Sequence, residues 1–329
     1  MKKAKALTTE SEAAVKKPAW RRFRFLPEGK SGDLWIILLT VALVTFGTVM
    51  IFSASYYKSI SEAGDPYAYL KRQLVWVLLG FGVMWLFSRI DYHIWGRLYK
   101  IIPVICLILL ALVFTPLGQE AGGAVRWIGV GPITVMPGEI AKFGLIIFVS
   151  GYFDRYPKRA YSFWQGVMPV LLLTAVYAGM IMLQPNMSTA FTLVFIAGGM
   201  LLVSGIRVTH LGILAGAAGI AGAALIFTDT EGYRFSRITS FLDPFEHALE
   251  EGWQVVQSLL ALGTGGLTGL GLGNSIQKNL YLPEPQNDFI LAIIGEELGL
   301  VGVMCLMAVY MVLIWRGCHI AINAMDYMG

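Results

Sequence analysis

Residues 279–300 read NLYLPEPQNDFILAIIGEELGL, a polar, proline-containing segment that leads directly into a long apolar run. The run continues to about residue 315, so it exceeds the roughly 20 residues that a helix needs to cross a bilayer. Asp288 lies at the edge of the run, and Glu296 and Glu297 lie inside it. Charged side chains are costly at membrane depth, so these carboxylates need either partners or a function.

The whole chain has the composition of an integral membrane protein. Of its 329 residues, 56% are hydrophobic and only 14% are charged, whereas soluble domains average about 25% charged residues. The mean hydropathy is +0.65. The three cysteines, Cys106, Cys305 and Cys318, fall in or beside apolar runs without metal-ligand spacing, and they predict no disulfide framework. The predicted fold class is therefore an all-α polytopic membrane protein.

Eight apolar segments are candidate membrane spans, which places the transmembrane domain at residues 34–315. The spans are predicted at 34–53, 73–88, 101–115, 139–153, 166–183, 190–205, 211–227 and 288–315. Residues 1–33 are polar and basic and have no apolar core, so they predict a cytosolic tail rather than a cleaved signal peptide. An orienting basic tail is also favoured over a nucleic-acid-binding segment.

The basic residues predict the orientation. With the N-terminus in the cytosol, most lysines and arginines fall in the inner segments, which are residues 1–33, 89–100, 154–165, 206–210 and 316–329. This bias follows the positive-inside rule and agrees with an even number of spans. Residues 316–329 are then a cytosolic end of the chain.

Three longer loops are expected on the outer side in this topology, at residues 54–72, 116–138 and 228–287, and the second is rich in glycine. The last has about 60 residues, far more than a connection between spans needs. Amphipathic helices at the membrane interface are expected within it, for example around 248–262. It also contains GTGGLTGLGLGNSIQK at 263–278, whose glycines permit close approach of the backbone to a ligand but lack the spacing of a P-loop.

Two groups of charged residues have both a structural and a functional interpretation. Lys142 follows Glu139 by three residues, so the two share a helical face and either neutralise each other or present a lysine to an anion. Arg126 and Trp127, in GGAVRWIGVG, suit either a phosphate and a sugar face or an ordinary interfacial anchor. Both interpretations stay open from local sequence alone.

The carboxylates and Lys278 are read in the same way. Asp288 is either a helix N-terminal residue stabilised by the dipole or a base near several outer cations, of which Lys278 is one. Glu296 and Glu297 point about 100° apart on a helix, so both cannot face one small site, and structural hydrogen bonds are favoured for them. In LQPNMSTA, at 183–190, a turn is expected with Ser188 or Thr189 capping the next helix.

These motifs resemble those of the SEDS family (shape, elongation, division and sporulation) over about residues 34–315. The most specific stretch runs from residue 252 to 302 and contains GLGNSIQKNLYLPEPQNDF, which is closer to the FtsW and SpoVE branch than to RodA. VMIFSAS, AVRWIGVG, MPGEIAK and QPNMSTA give weaker support. In three places the chain departs from usual family patterns: QND stands for HTD, MPGE for QPSE and QPNMST for QPDxGT.

The resemblance implies a peptidoglycan glycosyltransferase in the bacterial cytoplasmic membrane. Such an enzyme polymerises lipid II, an undecaprenyl diphosphate-linked disaccharide pentapeptide, at the outer face during cell division. The implied partners are a class B penicillin-binding protein and other membrane proteins of the division machinery, with no nucleic acid. A divalent cation, Mg²⁺ or Mn²⁺, is a candidate cofactor for the diphosphate.

The resemblance also implies the site residues. Asp288, in PEPQNDF, matches the essential aspartate of the family and is expected to be a general base or a metal ligand. Substrate contacts are expected from Glu284 of the same motif and from Arg126, Trp127, Glu139, Lys142 and Lys278.

Two alternative functions use the same residues. A lipid II flippase needs the same cations but a path across the membrane, and clustering at the outer side favours the enzyme. A non-catalytic scaffold of the division machinery is the other. Family members usually have ten spans and this chain has eight candidates, so a C-terminal truncation is expected.

Overall fold

A computed structural model describes residues 32–121, 123–130, 133–207 and 252–324, with isolated positions between 209 and 248 and residues 326 and 328. The described residues fall into two compact units. The first unit holds residues up to 88 and those from 216 to 324. The second unit holds residues 89–215 with 326 and 328. Each unit is described by itself below.

The described part of the chain is mostly helical, as predicted. The α-helices are α1 (Leu34–Ala63), α2 (Ala68–Ser88), α3 (His93–Arg97), α4 (Ile101–Leu112), α5 (Pro137–Arg155), α6 (Met168–Met182), α7 (Met187–Val203), α8 (Trp253–Gly265) and α9 (Ile290–Ile322). A 3-10 helix (Pro157–Tyr161) and a π-helical turn (Phe163–Val167) precede α6.

Four of the described helical segments are long and apolar enough to cross a membrane. They are Leu34–Ala63, Ala68–Ser88, Phe163–Met182 and Ile290–Ile322. The α4 and α7 helices are apolar but shorter, and α5 occupies the predicted fourth span. The predicted span at 211–227 lies largely outside the described residues, as do most of the tail and of segment 228–251. The helix expected around 248–262 is present as α8.

In the first unit, α1 and α9 are antiparallel neighbours tied together at both ends. Asp33, the N-cap of α1, accepts hydrogen bonds from Trp35 and Ile36 and forms an ion pair with Arg316 near the end of α9 (Nη2 to Oδ2, 2.7 Å). The hydrogen bond from Arg316 holds the pKa of Asp33 below its usual value. At the opposite end of α1, Lys58 pairs with Glu284, which precedes α9.

The spacing of these two ion pairs matches a membrane. At about 1.5 Å per residue, Asp33 and Lys58 are separated by roughly 38 Å of helix, against a hydrocarbon core of about 30 Å. Residues 33 and 316 therefore lie at one end of the helix pair and residues 58 and 284 at the other. This agrees with the predicted topology, in which the tail and segment 316–329 share one side.

The last helix is interrupted within the membrane-length run. Gly299 has φ 68° and ψ −171°, a conformation that is essentially restricted to glycine. In a continuous helix the N–H groups of Leu300 and Val301 would bond four residues back within α9. Here they donate instead to the carbonyl oxygens of Gly266 and Leu267, at 2.9 and 3.1 Å.

The carbonyl groups released by the interruption find partners in the same glycine-rich segment. Leu270 and Gly271 donate their N–H groups to the carbonyl oxygens of Glu296 and Glu297, both at 2.9 Å. Segment 266–271 thus replaces the missing helical hydrogen bonds on both sides of the break. Such replacement is required where no water is present to satisfy the backbone.

Glycine is required for this contact because the backbones touch. A Cβ on Gly265 would lie 2.0 Å from the carbonyl oxygen of Gly295, and one on Gly269 would lie 2.2 Å from that of Glu297. Gly269 also has φ 79°, which disfavours any side chain. The density of glycines in 263–278 is therefore used, at least in part, to approach α9.

The second unit packs α4 to α7 around an apolar core. Tyr177, Leu145, Leu110, Leu193 and Leu201 are fully buried there. The phenol of Tyr177 donates to the carbonyl oxygen of Pro103 at 2.7 Å, which satisfies its hydroxyl in this apolar setting.

A small sheet lies in the glycine-rich segment that was expected to be a loop. Strands β1 (Gly118–Ala121), β2 (Ala124–Val130) and β3 (Ile133–Val135) form an antiparallel sheet in the order β1-β2-β3. Val, Trp and Ile in β2 favour a strand, and Gly123, at φ 75°, supplies a turn conformation before it. The protein is mostly helical, as predicted, but it is not all-α because it contains this sheet.

The cap of α7 differs from the prediction. The N-cap is Asn186, whose side-chain oxygen accepts the N–H of Thr189 at 3.3 Å, so the expectation that Ser188 or Thr189 caps this helix was wrong. Asparagine is among the best N-cap residues because its short side chain reaches the N–H three residues on.

A histidine between two aspartates lies at one edge of the second unit. The Nδ1 of His93 is 2.6 Å from Asp91 and its Nε2 is 2.8 Å from Asp326. Burial lowers the pKa of His93, but the hydrogen bond and charge of Asp91, together with Asp326, outweigh it and raise the pKa above its ordinary value. This contact joins residue 326 to the first residue of α3.

Candidate functional site

The turn before α9 is organised by one side chain, that of Glu284. Its carboxylate accepts hydrogen bonds from the amides of Gln286 (2.9 Å) and Asn287 (2.8 Å) and pairs with Lys58. Its carbonyl oxygen accepts the N–H groups of Asn287 (3.1 Å) and Asp288 (3.2 Å). Residue 284 has φ 49°, which is uncommon outside glycine and costs conformational energy. These contacts are what hold it in that conformation.

Asp288 stands at the end of this turn with its carboxylate available. The residue is exposed, and among the described residues its side chain forms no hydrogen bond and no ion pair. Helix α9 begins at Ile290 with Phe289 as its N-cap, so Asp288 lies just before the helix that it was expected to start. An unpaired exposed carboxylate is able to accept a proton or to contact a cation.

Lys278 has a different environment from the one expected. Its side chain is 4% exposed, and its ammonium lies 2.8 Å from the carboxylate of Glu297, which is fully buried. It also donates to the hydroxyl of Ser53 on α1 (3.1 Å), and that hydroxyl donates to Glu297 (2.6 Å). The ammonium therefore belongs to a buried hydrogen-bond network with Ser53 and Glu297. Its predicted contact with substrate stays a prediction.

Glu296 anchors the loop that leads toward the turn. Its carboxylate accepts hydrogen bonds from the hydroxyl of Ser275 and from the backbone N–H groups of Ile276 (3.0 Å) and Gln277 (3.3 Å). Both adjacent glutamates have structural hydrogen bonds, as the sequence favoured: Glu296 binds a loop, and Glu297 binds Lys278. Of the four carboxylates at residues 284, 288, 296 and 297, only that of Asp288 lacks a described partner.

The remaining predicted site residues lie in the second unit. Arg126, on β2, donates from Nη2 to the carbonyl oxygen of Pro185 (2.6 Å) and from Nε to that of Gln184 (3.4 Å). These contacts fasten the sheet to the turn before α7 and use two of the five N–H donors of the guanidinium. Trp127, the next residue on β2, is partly buried and pairs with Gln119 of β1.

The predicted pairing of Glu139 with Lys142 is confirmed. The ammonium lies 2.8 and 2.9 Å from the two carboxylate oxygens in the first turns of α5. The side chain of Lys142 is 20% exposed and that of Glu139 is 53% exposed. Pro137 at the first helical position fixes where this helix begins. The pair is accessible, so both the structural and the anion-facing interpretation remain open.

A cavity of about 500 Å³ borders the sheet and the turn before α7. Its lining includes Thr115, Glu120, Val125, Gln184 and Pro185. The volume is in the range of small-molecule sites, and the cavity is next to the turn that Arg126 holds. Another cavity, of about 170 Å³, lies beside the Lys58–Glu284 pair.

The residues fit a divalent cation only if substrate supplies most of its ligands. Among the described residues, no group of three or more His, Cys, Asp or Glu side chains is placed to hold a metal ion. Mg²⁺ is usually held by one or two carboxylates together with phosphate oxygens and water. The Asp288 carboxylate has no described partner, so it could supply one ligand to an ion that is bound to a diphosphate.

Two structural participants were missed by sequence reasoning. Lys58 was counted only among the outer basic residues, and Ser53 was read as part of an apolar span. Their partners, Glu284 and Glu297, are more than 200 residues away, so no local spacing reveals the contacts. One signal was present: Lys58 is a charged residue five positions beyond the predicted end of the first span, in the predicted outer segment 54–72.

Together, the fold and this site define a class of protein: a mostly helical, multi-pass membrane protein with an available carboxylate at one end of a helix pair. The chain belongs to the FtsW, RodA and SpoVE family of cell cycle proteins, whose family pattern matches residues 34–329.

Individual relatives agree with this assignment. The chain is 39% identical over 300 residues to stage V sporulation protein E of Bacillus subtilis (strain 168), covering 91% of this chain and 81% of that protein. It is 36% identical over 299 residues to the probable peptidoglycan glycosyltransferase FtsW of Geobacter sp. (strain M18), covering 90% of this chain and 81% of that one.

Solved structures share the fold. A chain from a peptidoglycan synthase complex, studied for the coordination of polymerization and crosslinking, matches with a TM-score of 0.73 and 26% identity, over 91% of this chain and 81% of that one. The rod shape determining protein RodA of Thermus thermophilus matches with a TM-score of 0.62 and 25% identity, over 92% and 79%.

Proposed function

We propose that the protein is a peptidoglycan glycosyltransferase that polymerises lipid II into glycan strands during cell division. Its relatives include proteins named as probable peptidoglycan glycosyltransferases, and the match extends over most of both chains. The observation that carries the proposal is the state of Asp288. It is exposed at the end of the α1–α9 pair, whereas the neighbouring Glu284, Glu296 and Glu297 are already bound.

In the proposed mechanism Asp288 is the general base. It takes the proton of the 4-hydroxyl of the acceptor sugar while that oxygen bonds to C1 of the donor muramyl sugar. The bond from C1 to the diphosphate breaks, and undecaprenyl diphosphate leaves with the electron pair. A positioned base typically contributes about 10²–10⁴-fold to such a step.

The leaving diphosphate needs positive charge. Arg126 and Lys142, in the second unit, are accessible cations, and Arg126 keeps guanidinium donors beyond the two that hold residues 184 and 185. Preorganised cations of this kind stabilise charge that develops on a leaving group. Lys278 is the weakest candidate because its ammonium is buried against Glu297.

We further propose that the N-terminus is cytosolic and that Asp288 faces the outer side. The basic bias of the inner segments supports this orientation. The ion pairs of Asp33 and Lys58 support it too, because they place residue 33 and the turn that contains Asp288 at opposite ends of α1. A class B penicillin-binding protein is the proposed partner, because a related chain belongs to a synthase complex that polymerises and crosslinks.

The test is polymerisation of fluorescent lipid II by the purified protein with its penicillin-binding partner, read as glycan ladders on gels. The expected result is polymer formation, with no movement of lipid II between leaflets when the protein is in liposomes. Lipid II translocation without polymer would replace the enzyme with a flippase. Neither activity in a folded complex would leave a scaffold.

A further inference from the structure

We propose that Lys58 is a positioning residue of the reaction: through Glu284 it fixes the turn that places the carboxylate of Asp288. This inference deepens the proposed function and rests on it. Lys58 lies near the end of α1, far from the other site residues in sequence, and its ammonium pairs with the Glu284 carboxylate.

First, the contacts that close the turn are made by Glu284. Its carboxylate binds the side-chain amides of Gln286 and Asn287. Its carbonyl oxygen binds the backbone N–H groups of Asn287 and Asp288. The direction of the Asp288 side chain therefore depends on the conformation of residue 284.

The second step is that residue 284 needs an external restraint. Its φ of 49° is unfavourable for a glutamate, so its own backbone preference works against this turn. A cavity of about 170 Å³ lies beside it, bordered by Lys58, Ser61, Pro283 and Pro285, so packing is incomplete on that side. The two prolines stiffen the chain but do not select a positive φ at the residue between them.

The third step is that Lys58 is well placed to supply the restraint. Its side chain is 14% exposed, whereas that of Glu284 is 47% exposed, so the lysine is the more buried partner. It belongs to α1, which packs against α9 through buried residues such as Met50 and Ala54. Glu62 lies 3.7 Å from the same ammonium but makes no described contact with the turn.

Loss of Lys58 is expected to misplace Asp288 rather than to unfold the protein. Misplacement of a reacting group by about 1 Å can cost about 10²-fold in rate. For Lys58→Met we expect kcat for lipid II polymerisation to fall at least about 10-fold with KM nearly unchanged, because Lys58 itself does not touch substrate. Lys58→Arg keeps the charge and reach and should restore most of kcat.

The matched control is Lys71→Met. Lys71 also pairs with an aspartate in the first unit, Asp65, at 2.7 Å, but has no described contact with residues 283–288. Its removal should leave kcat within about 2-fold. Equal losses in Lys58→Met and Lys71→Met would overturn the assignment, since a general effect of surface charge would then explain both.

A second measurement does not depend on activity. In a background with Cys106, Cys305 and Cys318 changed to serine, Lys58→Cys and Glu284→Cys together should be linked rapidly by a short bis-maleimide, which alkylates one thiol at each end, and Lys71→Cys with Glu284→Cys should not. Absence of the first link would overturn the geometry. A link with unchanged kcat in Lys58→Met would overturn the positioning role, and no polymer from the wild type would overturn the proposed function and this inference with it.

Discussion

At the scale of single residues, the same side-chain type takes different roles in one unit. Glu296 and Glu297 are consumed by a loop and a lysine, Glu284 shapes a turn, and Asp288 is left available. The divergence of the adjacent glutamates was predictable because neighbouring helical residues point about 100° apart. The partner of Lys278 was not, because irregular backbone separates it from Glu297.

The buried pair gives a prediction at this scale. Lys278→Met leaves Glu297 charged and without its ammonium in a fully buried position, and loss of one partner of a buried pair typically costs about 3–5 kcal/mol. We expect a large drop in thermal stability of the purified protein. The double variant Lys278→Met with Glu297→Gln should recover much of it, because no uncompensated charge remains and Ser53 keeps an acceptor.

The contrary outcome is also specific. If Lys278 acts mainly on the diphosphate, the single variant will keep its thermal stability and lose only affinity for lipid II. The double variant would then show no gain over the single one.

Among the structural elements, the glycine-rich segment and the last helix form one hydrogen-bonded unit. The glycines at 263–278 indicated a close approach of the backbone to a ligand. They did not indicate that the backbone approaches an interrupted helix. Gly299 follows Leu298 in a run that otherwise reads as continuous apolar helix, and a lone glycine is tolerated in helices. The break depends on hydrogen bonds from a distant segment, so no helical periodicity reports it.

Because the two backbones touch, adding one methyl group at a contacting glycine is expected to lower the stability strongly. Gly299→Ala meets the backbone of Gly269 at 2.4 Å, and Gly269→Ala meets that of Glu297 at 2.2 Å, both with disfavoured φ. Each should cost about 2 kcal/mol or more, since backbone clashes add to conformational strain of about 1–3 kcal/mol. The measurement is thermal unfolding in detergent.

Gly263→Ala is the matched control. It lies on α8, its added Cβ meets nothing within 4 Å, and alanine favours helix over glycine by about 0.5–1 kcal/mol. Its stability should be equal or higher. Similar losses of stability in all three variants would show that any substitution in this region is destabilising, and that the contact with α9 is not the cause.

The sheet shows a second limit at the element scale. Segment 116–138 was predicted as an outer loop between two spans, although AVRWIGV contains strand-forming residues. A four-residue strand such as β1, with the sequence GQEA, has no strand signal of its own. It forms because β2 offers it hydrogen bonds.

At the scale of the whole molecule, composition and apolar runs predicted most of what was needed. The helical membrane class and the position of most apolar helices follow from segment length and hydropathy, and family membership follows from the motifs around Asp288. Contacts between α1 and the turn at 284–288 could not be predicted, because they depend on how distant helices pack. The span at 211–227 lies largely outside the described residues.

The proposed catalytic role of Asp288 is tested by the rate of lipid II polymerisation in Asp288→Asn, measured with saturating substrate in the complex with the penicillin-binding partner. The variant keeps the size of the side chain and removes the base. We expect kcat to fall by about 10²-fold or more with thermal stability and lipid II binding unchanged, since the Asp288 side chain has no described structural contact. A kcat within a few-fold of the wild type would contradict the account and remove Asp288 from catalysis.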